Sequence, residues 1–314
     1  MNKKKIKHSC LLVLTALIWG VAFVAQRKGG DATGPLTFNG IRFLIGGAVL
    51  LPVIWWRDRR EKGTASEKKD TGTVWIAGIS CGFFLFAAST LQQLGISIGG
   101  EVGKAGFLTA CYILIVPILG LFFGKKCGWN VWLGVLLTVG GLYLLCMTGR
   151  LSLRFSDTIL LLCALLFAMQ ILVIDHFAPK VDSIKMACIQ FFFSGLCGMI
   201  PMFWIDMQHS LQGIRTWSRT LVGSDVWIPL LYTGILSSGV GYTLQIIGQE
   251  GLNPTVASLL MSLEAVFSVL AGVLLLNEQL SLRELAGCVL IFAAIVLAQI
   301  PVSAHREREK STLS

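Results

Sequence analysis

The run LLVLTALIWGVAFV, residues 11–24, holds one hydroxyl and no charge in fourteen positions. A barrel strand facing lipid would alternate apolar with polar residues, and this run does not. Backbone in hydrocarbon must satisfy its own hydrogen bonds, so the spanning form it predicts is the α-helix. Working outward, ten such segments of about 20 apolar residues follow one another. They cover approximately 10–26, 36–56, 73–93, 103–123, 129–148, 157–176, 184–204, 226–247, 255–276 and 282–301. The expected fold class is an all-α integral membrane protein with ten transmembrane helices.

Composition agrees. Apolar residues make up 54% of the 314, charged residues only 14%, and the mean hydropathy is +0.74. A soluble domain carries about a quarter charged residues. That contrast excludes a soluble enzyme, a disordered chain and an ordinary nucleic-acid reader. The nine cysteines lie mostly inside apolar runs, with no CxxC pair and no metal-ligand spacing. They read as small apolar residues.

Lys3, Lys4, Lys5 and Lys7 ahead of the first run imitate a secretory signal. No small-x-small cleavage site closes it convincingly, so it reads as an uncleaved first helix. Placing the N-terminus inside puts 17 Lys and Arg residues in inner segments and 8 in outer ones, with Arg42 inside a span. The positive-inside rule then predicts both termini in the cytoplasm. Eight of nine tryptophans fall near span ends, as an interfacial aromatic belt requires; Trp19 alone lies within a span. The longest outer connection, about 206–225, spaces Leu211, Ile214, Trp217 and Leu221 as a surface helix would. A solvated loop fits it as well.

The chain also resembles itself. TLQQLG at Thr90–Gly95 matches TLQIIG at Thr243–Gly248, an offset of 153, and Gly134 meets Gly287 at the same offset. Arg42-Phe43 meets Gln190-Phe191 at an offset of 148. Spans 1–5 therefore resemble spans 6–10. Because five is odd, the second copy enters the membrane from the opposite side. Inverted repeats of this kind characterise secondary transporters, which bind solute near the midplane where the copies meet.

Longer stretches carry a resemblance to a family. They are WGVAF (Trp19–Phe23), IRFLIGG (Ile41–Gly47) and GKAGFLTACYILIVPILGLFFGKK (Gly103–Lys126) in the first unit. In the second they are NPTVASLLMSLEAVFSVLAGVLLLNEQLS (Asn253–Ser281) and the following GCVLIFAAIVLA. Over about residues 8–301 the chain resembles the EamA-type members of the drug/metabolite transporter superfamily. It departs at Ala265, where many members carry Pro after the mid-span Glu; the first unit keeps a Pro at Pro117. The resemblance implies two five-helix units, 8–149 and 150–302, and a cytoplasmic tail, 303–314. It implies helices 5 and 10 at the periphery and a central cavity lined by the others. It further implies export of amino acids, related metabolites or drugs across a bacterial inner membrane.

Polar residues at depth are the candidates for that cavity. Glu264 lies about ten residues into span 9, where an ionised carboxylate costs several kcal/mol unless protonated, paired or wet. It reads as a coupling or substrate-amine site, or as a protonated packing group. Arg42 lies about a turn and a half into span 2. It reads as a cation for a substrate carboxylate, as a partner of Glu264, or as a side chain snorkelling to the headgroups. Gln92, Gln93, Gln170, Gln190 and Gln245 are mid- or late-span amides that either glue helices or line a cavity. Trp19, Tyr112 and Tyr242 offer aromatic walls. Glu101, Lys104 and Glu278 read as solvated outer-mouth residues or an outer gate, and Asp175 and His176 as an inner rim.

No Walker loop, GxGxxG, HExxH or GxSxG occurs, so no cofactor is expected and energy would come from a gradient. The chain is expected to be no enzyme but a secondary transporter. The alternatives are an importer, an exchanger or a multidrug efflux protein on the same fold, and less favourably a membrane enzyme on lipid-linked substrates. Expected partners are a small organic solute, the lipid bilayer, protons for coupling and, as an option, a second copy in a homodimer; nucleic acid is not among them.

Overall fold

The computed structural model describes residues 3–61, 71–99, 102–125, 127–147, 154–276 and 281–299. The described part of each apolar segment falls on helix, and no strand occurs among the described residues. In order these are α1 (Lys3–Thr33), α2 (Pro35–Glu61), α3 (Thr71–Gly99), α4 (Val102–Ala110), α5 (Tyr112–Phe122), α6 (Trp129–Cys146), α7 (Phe155–Phe177), α8 (Ser183–Ile205), α9 (Leu211–Thr220) and α10 (Ser224–Leu231). A π-helical segment, Tyr232–Tyr242, comes next, then α11 (Thr243–Gln249), α12 (Pro254–Met261), α13 (Leu263–Leu276) and α14 (Leu282–Gln299). Among the described residues eight helical stretches are long and apolar enough to cross a membrane, with Trp129–Leu145 a shorter apolar helix. The chain is an all-helical integral membrane protein.

Helix boundaries overrun the apolar runs, because backbone bonding does not stop where lipid does. α1 extends from Lys3 to Thr33 and α2 to Glu61. Two spans are interrupted by one residue each. Cys111 separates α4 from α5 and Ser262 separates α12 from α13, with the tighter bonds Cys111 N–H to Leu108 O and Ala265 N–H to Ser262 O. The 225–249 span widens into the π-helical segment, a form that is rare and concentrated at functional sites.

Small residues set the closest approaches, as in other bundles without a hydrophobic drive between helices. α6 lies against α14, where a Cβ on Gly141 would meet Gly287 O at 2.9 Å. α2 lies along α8, with Gly40 against Gly195 and Gly198. Both ends of that pair are fastened. At one end Arg57 bonds Asp182 and Lys185 pairs with Asp58 at 2.9 Å. At the other, Asp206 Oδ2 accepts from Thr37 N–H at 2.6 Å and from Thr37 Oγ1 at 2.7 Å. α3 packs on α7 and α8; α1 packs on the 225–249 stretch and on α12 and α13; α7 packs on α4 and α5.

The 206–225 connection contains the helix α9. Its Trp217 donates to Thr37 Oγ1 at 2.9 Å, while Ile214 and Trp217 pack on Leu36, Met202 and Met207. Six of the tryptophans assigned to the interface, Trp55, Trp56, Trp75, Trp129, Trp204 and Trp227, are exposed. At the rim, His176 is exposed beside Lys180, whereas the Asp175 carboxylate is largely buried and pairs with Lys125 at 2.6 Å. Glu101, Glu278, the Lys104 side chain and the tail 303–314 lie outside the described residues.

One turn in this frame demands glycine. Gly34, between α1 and α2, has φ +93°, and a Cβ there would fall 2.7 Å from the Asp206 carboxylate. Gly34→Ala is expected to destabilise the protein by about 1–2 kcal/mol through left-handed backbone strain alone, and by more through the clash. Thermal melting in detergent would read this as an earlier transition; an unchanged transition would contradict it.

Candidate functional site

A cavity opens where the interrupted helices and the π-helical segment meet α1, α2, α3 and α7. Its wall takes Trp19, Phe23 and Gln26 from α1, Arg42 from α2, Gln92 from α3, Thr109 from α4 and Tyr112 from α5. Phe167, Gln170 and Ile171 come from α7, Ser237 and Tyr242 from the π-helical segment, Gln245 from α11, Met261 from α12 and Glu264 from α13. Among the described residues α6 and α14 contribute nothing to it, and neither does α8, the seventh span, which the resemblance implies should line it. About 40 Å³ of the cavity admits the centre of a water molecule. That is room for a few waters, so an organic solute enters only if the walls part.

Eight of the ten sequence-selected residues, Trp19, Arg42, Gln92, Tyr112, Gln170, Tyr242, Gln245 and Glu264, are thus brought to one place. Gln93 is not, and neither is Gln190. Gln190 is fully buried, on the face of α8 that α3 approaches so closely that a Cβ on Gly82 would meet Gln190 O at 2.9 Å. Its amide oxygen and nitrogen have no hydrogen-bond partner.

The aromatic wall is built from contacts across the chain. Trp19 and Tyr242 pack with ring centroids 4.6 Å apart, and Tyr242 also leans edge-on against Phe43 and Phe191. Trp19 Nε1 donates to Ser237 O at 3.1 Å, which ties α1 to the π-helical segment. Gly241 makes room for that indole, since a Cβ there would meet Nε1 at 2.7 Å.

Arg42 is 2% exposed, so it does not snorkel. Its Nε donates to Asn39 Oδ1 at 2.9 Å, Asn39 Nδ2 donates to Ser89 Oγ at 2.9 Å, and the guanidinium lies 4.7 Å from the Phe43 ring centre. These contacts orient the cation but supply no counter-charge. Glu264 is 8% exposed and faces the Tyr112 hydroxyl, which makes no formed hydrogen bond. Among the described residues neither Arg42 nor Glu264 has an ion-pair partner. One cavity therefore holds a guanidinium and a carboxyl group, neither in an ion pair among the described residues.

The residues that sequence reading passed over are apolar, small or one turn away. Phe23 and Gln26 continue the face of Trp19 at i+4 and i+7; Thr109 precedes Tyr112 by three, and Met261 precedes Glu264 by three. Helical spacing from each selected residue was the available signal. The widening of 232–242 had none, because an apolar run looks the same in α and π form.

Comparison with known proteins accords with this architecture. The profile of the EamA-like transporter family matches residues 6–147 and again 154–299. A relative from Archaeoglobus fulgidus, named as an uncharacterized transporter, is 27% identical over 95% of this chain and 88% of its own length. A relative from Escherichia coli (strain K12), named as a probable amino-acid metabolite efflux pump, is 25% identical over 93% and 94%. A solved crystal structure superposes with a TM-score of 0.75 at 18% identity, over 93% of this chain and 96% of that one, which shows the shared fold. The family and these relatives are named as transporters, not as enzymes. With matches spanning nearly the whole sequence, the chain belongs to the EamA-like transporter family.

Proposed function

We propose that this transporter is a secondary carrier that exports amino acids or closely related metabolites by alternating access. The observation that carries the reading is the unpaired Arg42 and Glu264 in one aromatic-walled cavity. A zwitterion matches it: carboxylate toward the guanidinium, ammonium toward the acid, side chain against Trp19, Phe23 and Tyr242. The two amides at equivalent places in the halves, Gln92 and Gln245, would supply hydrogen bonds from either side.

The alternating part rests on the repeat. Two matches to the family profile support units of 8–149 and 150–302, each of five spans. Packing has the pattern that exchange of two such units would leave unchanged. α2 with α8 and α6 with α14 pair like with like, and α3 on α7 has its counterpart in the 225–249 stretch on α1. Two halves of opposite orientation can interchange conformations at nearly equal free energy. The excess of inner Lys and Arg supports cytoplasmic termini in a bacterial inner membrane. Glu264 is the group proposed to carry the coupling proton.

Flux into proteoliposomes of a panel of radiolabelled amino acids and metabolites, with and without a pH gradient, tests the reading. Gradient-dependent accumulation of at least one zwitterion is expected; accumulation of hydrophobic cations alone would favour multidrug efflux instead. Arg42→Met sharpens the test. Losing a charge-assisted hydrogen bond worth about 1.5–3 kcal/mol should weaken binding of the zwitterion by about tenfold or more. The decarboxylated amine of the same solute should bind the variant and the parent alike. Equal loss for both compounds would remove Arg42 as the carboxylate site.

A further inference from the structure

A second cavity lies at the end of the bundle where α1 turns into α2. Thr33, Gly34, Asp206, Gln212 and Thr216 are among its walls, and about 470 Å³ of it admits the centre of a water molecule. One face of α1 runs from the central cavity to it. Trp19, Phe23 and Gln26 line the inner chamber and Thr33 the vestibule, which separates Gln26 from Thr33 by about 10 Å of helix. Gly30 falls between them on the same face. The Gln93 amide fills the notch that Gly30 leaves: a Cβ there would meet Gln93 Nε2 at 2.3 Å, and the same nitrogen donates to Gln26 O at 3.5 Å. α3 thus sends Gln92 to the cavity and Gln93 to the stretch of α1 between the two cavities, while Leu94 packs on the Leu36–Met202–Met207 cluster by the vestibule.

Both amides carry an unpartnered buried atom, as do Gln170, Gln190, Gln245 and Gln249. Gln93 is 2% exposed and Gln26 6%, yet Oε1 of each has no hydrogen-bond partner. Buried acceptors left unmade are costly, and a native protein that keeps them needs a reason. Apolar side chains of the same size would fill this stretch without that cost. Acceptors are useful if the traffic brings its own donors.

We propose that Gln26 and Gln93 form a selective constriction between the central cavity and the vestibule, whose amide oxygens accept from the N–H groups of a solute bearing an ammonium or amide as it passes. The inference rests on the central cavity being the solute site. Gln93 acts on passage and selection, and Gln26, which also lines the central cavity, stands at the boundary between the two.

A thiol placed in the central cavity reads the passage without any solute. Ser237→Cys is introduced into a cysteine-free background, and its rate of modification is followed with membrane-impermeant methanethiosulfonate reagents, one cationic and one anionic. The reagents are added to spheroplasts or to inverted vesicles, so each face is sampled. Gln93→Ala should raise the rate by about tenfold or more from the vestibule face, and leave the other face within about twofold. Gln26→Ala should act in the same direction and carries the comparison if the Gln93 variants fail to fold. In the double variant Gln26→Leu/Gln93→Leu the passage should stay slow and lose the parent's preference for the cationic reagent. An unchanged rate in Gln93→Ala, an equal rise from both faces, or a cation preference that survives the double variant would overturn the proposal. Failure of the solute-site reading would appear instead in zwitterion binding, which this rate does not use.

Discussion

Glu264→Gln is expected to abolish the response of solute flux to an imposed pH gradient while leaving solute-for-solute exchange measurable at saturating solute, with binding of the zwitterion weakened by the loss of a charged partner for its ammonium. Gln has the size and shape of a protonated Glu and can still face the Tyr112 hydroxyl, so the walls of the cavity stay in place. It cannot take up or release a proton. A carrier whose net flux requires that exchange would run only when solute returns on the loaded form. The loss of gradient-driven accumulation should reach about tenfold or more, because the two protonation states can no longer favour different conformations. Flux in the variant that still follows the gradient fully would show that Glu264 is not the coupling group.

Gly20→Ala should produce the second large effect, through geometry rather than charge. α1 lies against α13 at this residue. An added Cβ would sit 2.6 Å from Phe267 Cβ and 2.8 Å from both Glu264 O and Ser268 N. None of these atoms belongs to the free end of a flexible side chain, so relief requires the helices to separate. Overpacking of this kind costs about 1–3 kcal/mol. Here it also displaces Trp19 and Glu264 together. The expected result is a lower melting temperature in detergent with solute binding reduced in parallel. Gly106→Ala is the control, since nothing lies within 4 Å of a Cβ there and alanine favours helix; it should melt like the parent or slightly later. Equal melting of Gly20→Ala and the parent would contradict the packing argument.

Much of this architecture is legible in the residues because lipid leaves few options. The long apolar runs had to be helices, and their polar residues had to face one another. That is why Arg42, Gln92, Gln170, Gln245 and Glu264, chosen only as polar groups at depth, share a wall. The same logic cannot separate an amide that lines a cavity from one that sits between two helices. Gln190 meets the same criterion, yet the closeness of α3 at Gly82 buries it elsewhere. Arg42 posed a similar choice between headgroups and interior, and it was settled by Asn39 and Phe43, whose contacts depend on tertiary packing. The amphipathic spacing of 211–221 allowed a helix or a loop; the bonds among Trp217, Thr37 and Asp206, far apart in sequence, fix α9 on the end of α2. Backbone departures at Cys111, Ser262 and 232–242 were hidden, since they change which carbonyl each N–H meets without altering the apolar pattern.

The most direct test is a structure determined with the best zwitterionic solute of the transport panel at saturating concentration. Density for that solute should lie between Arg42 and Glu264, its carboxylate on the guanidinium and its ammonium on the acid, with Trp19 and Tyr242 moved apart to admit it. Density on another surface, with these two charged groups still facing an unfilled cavity, would contradict the central assignment.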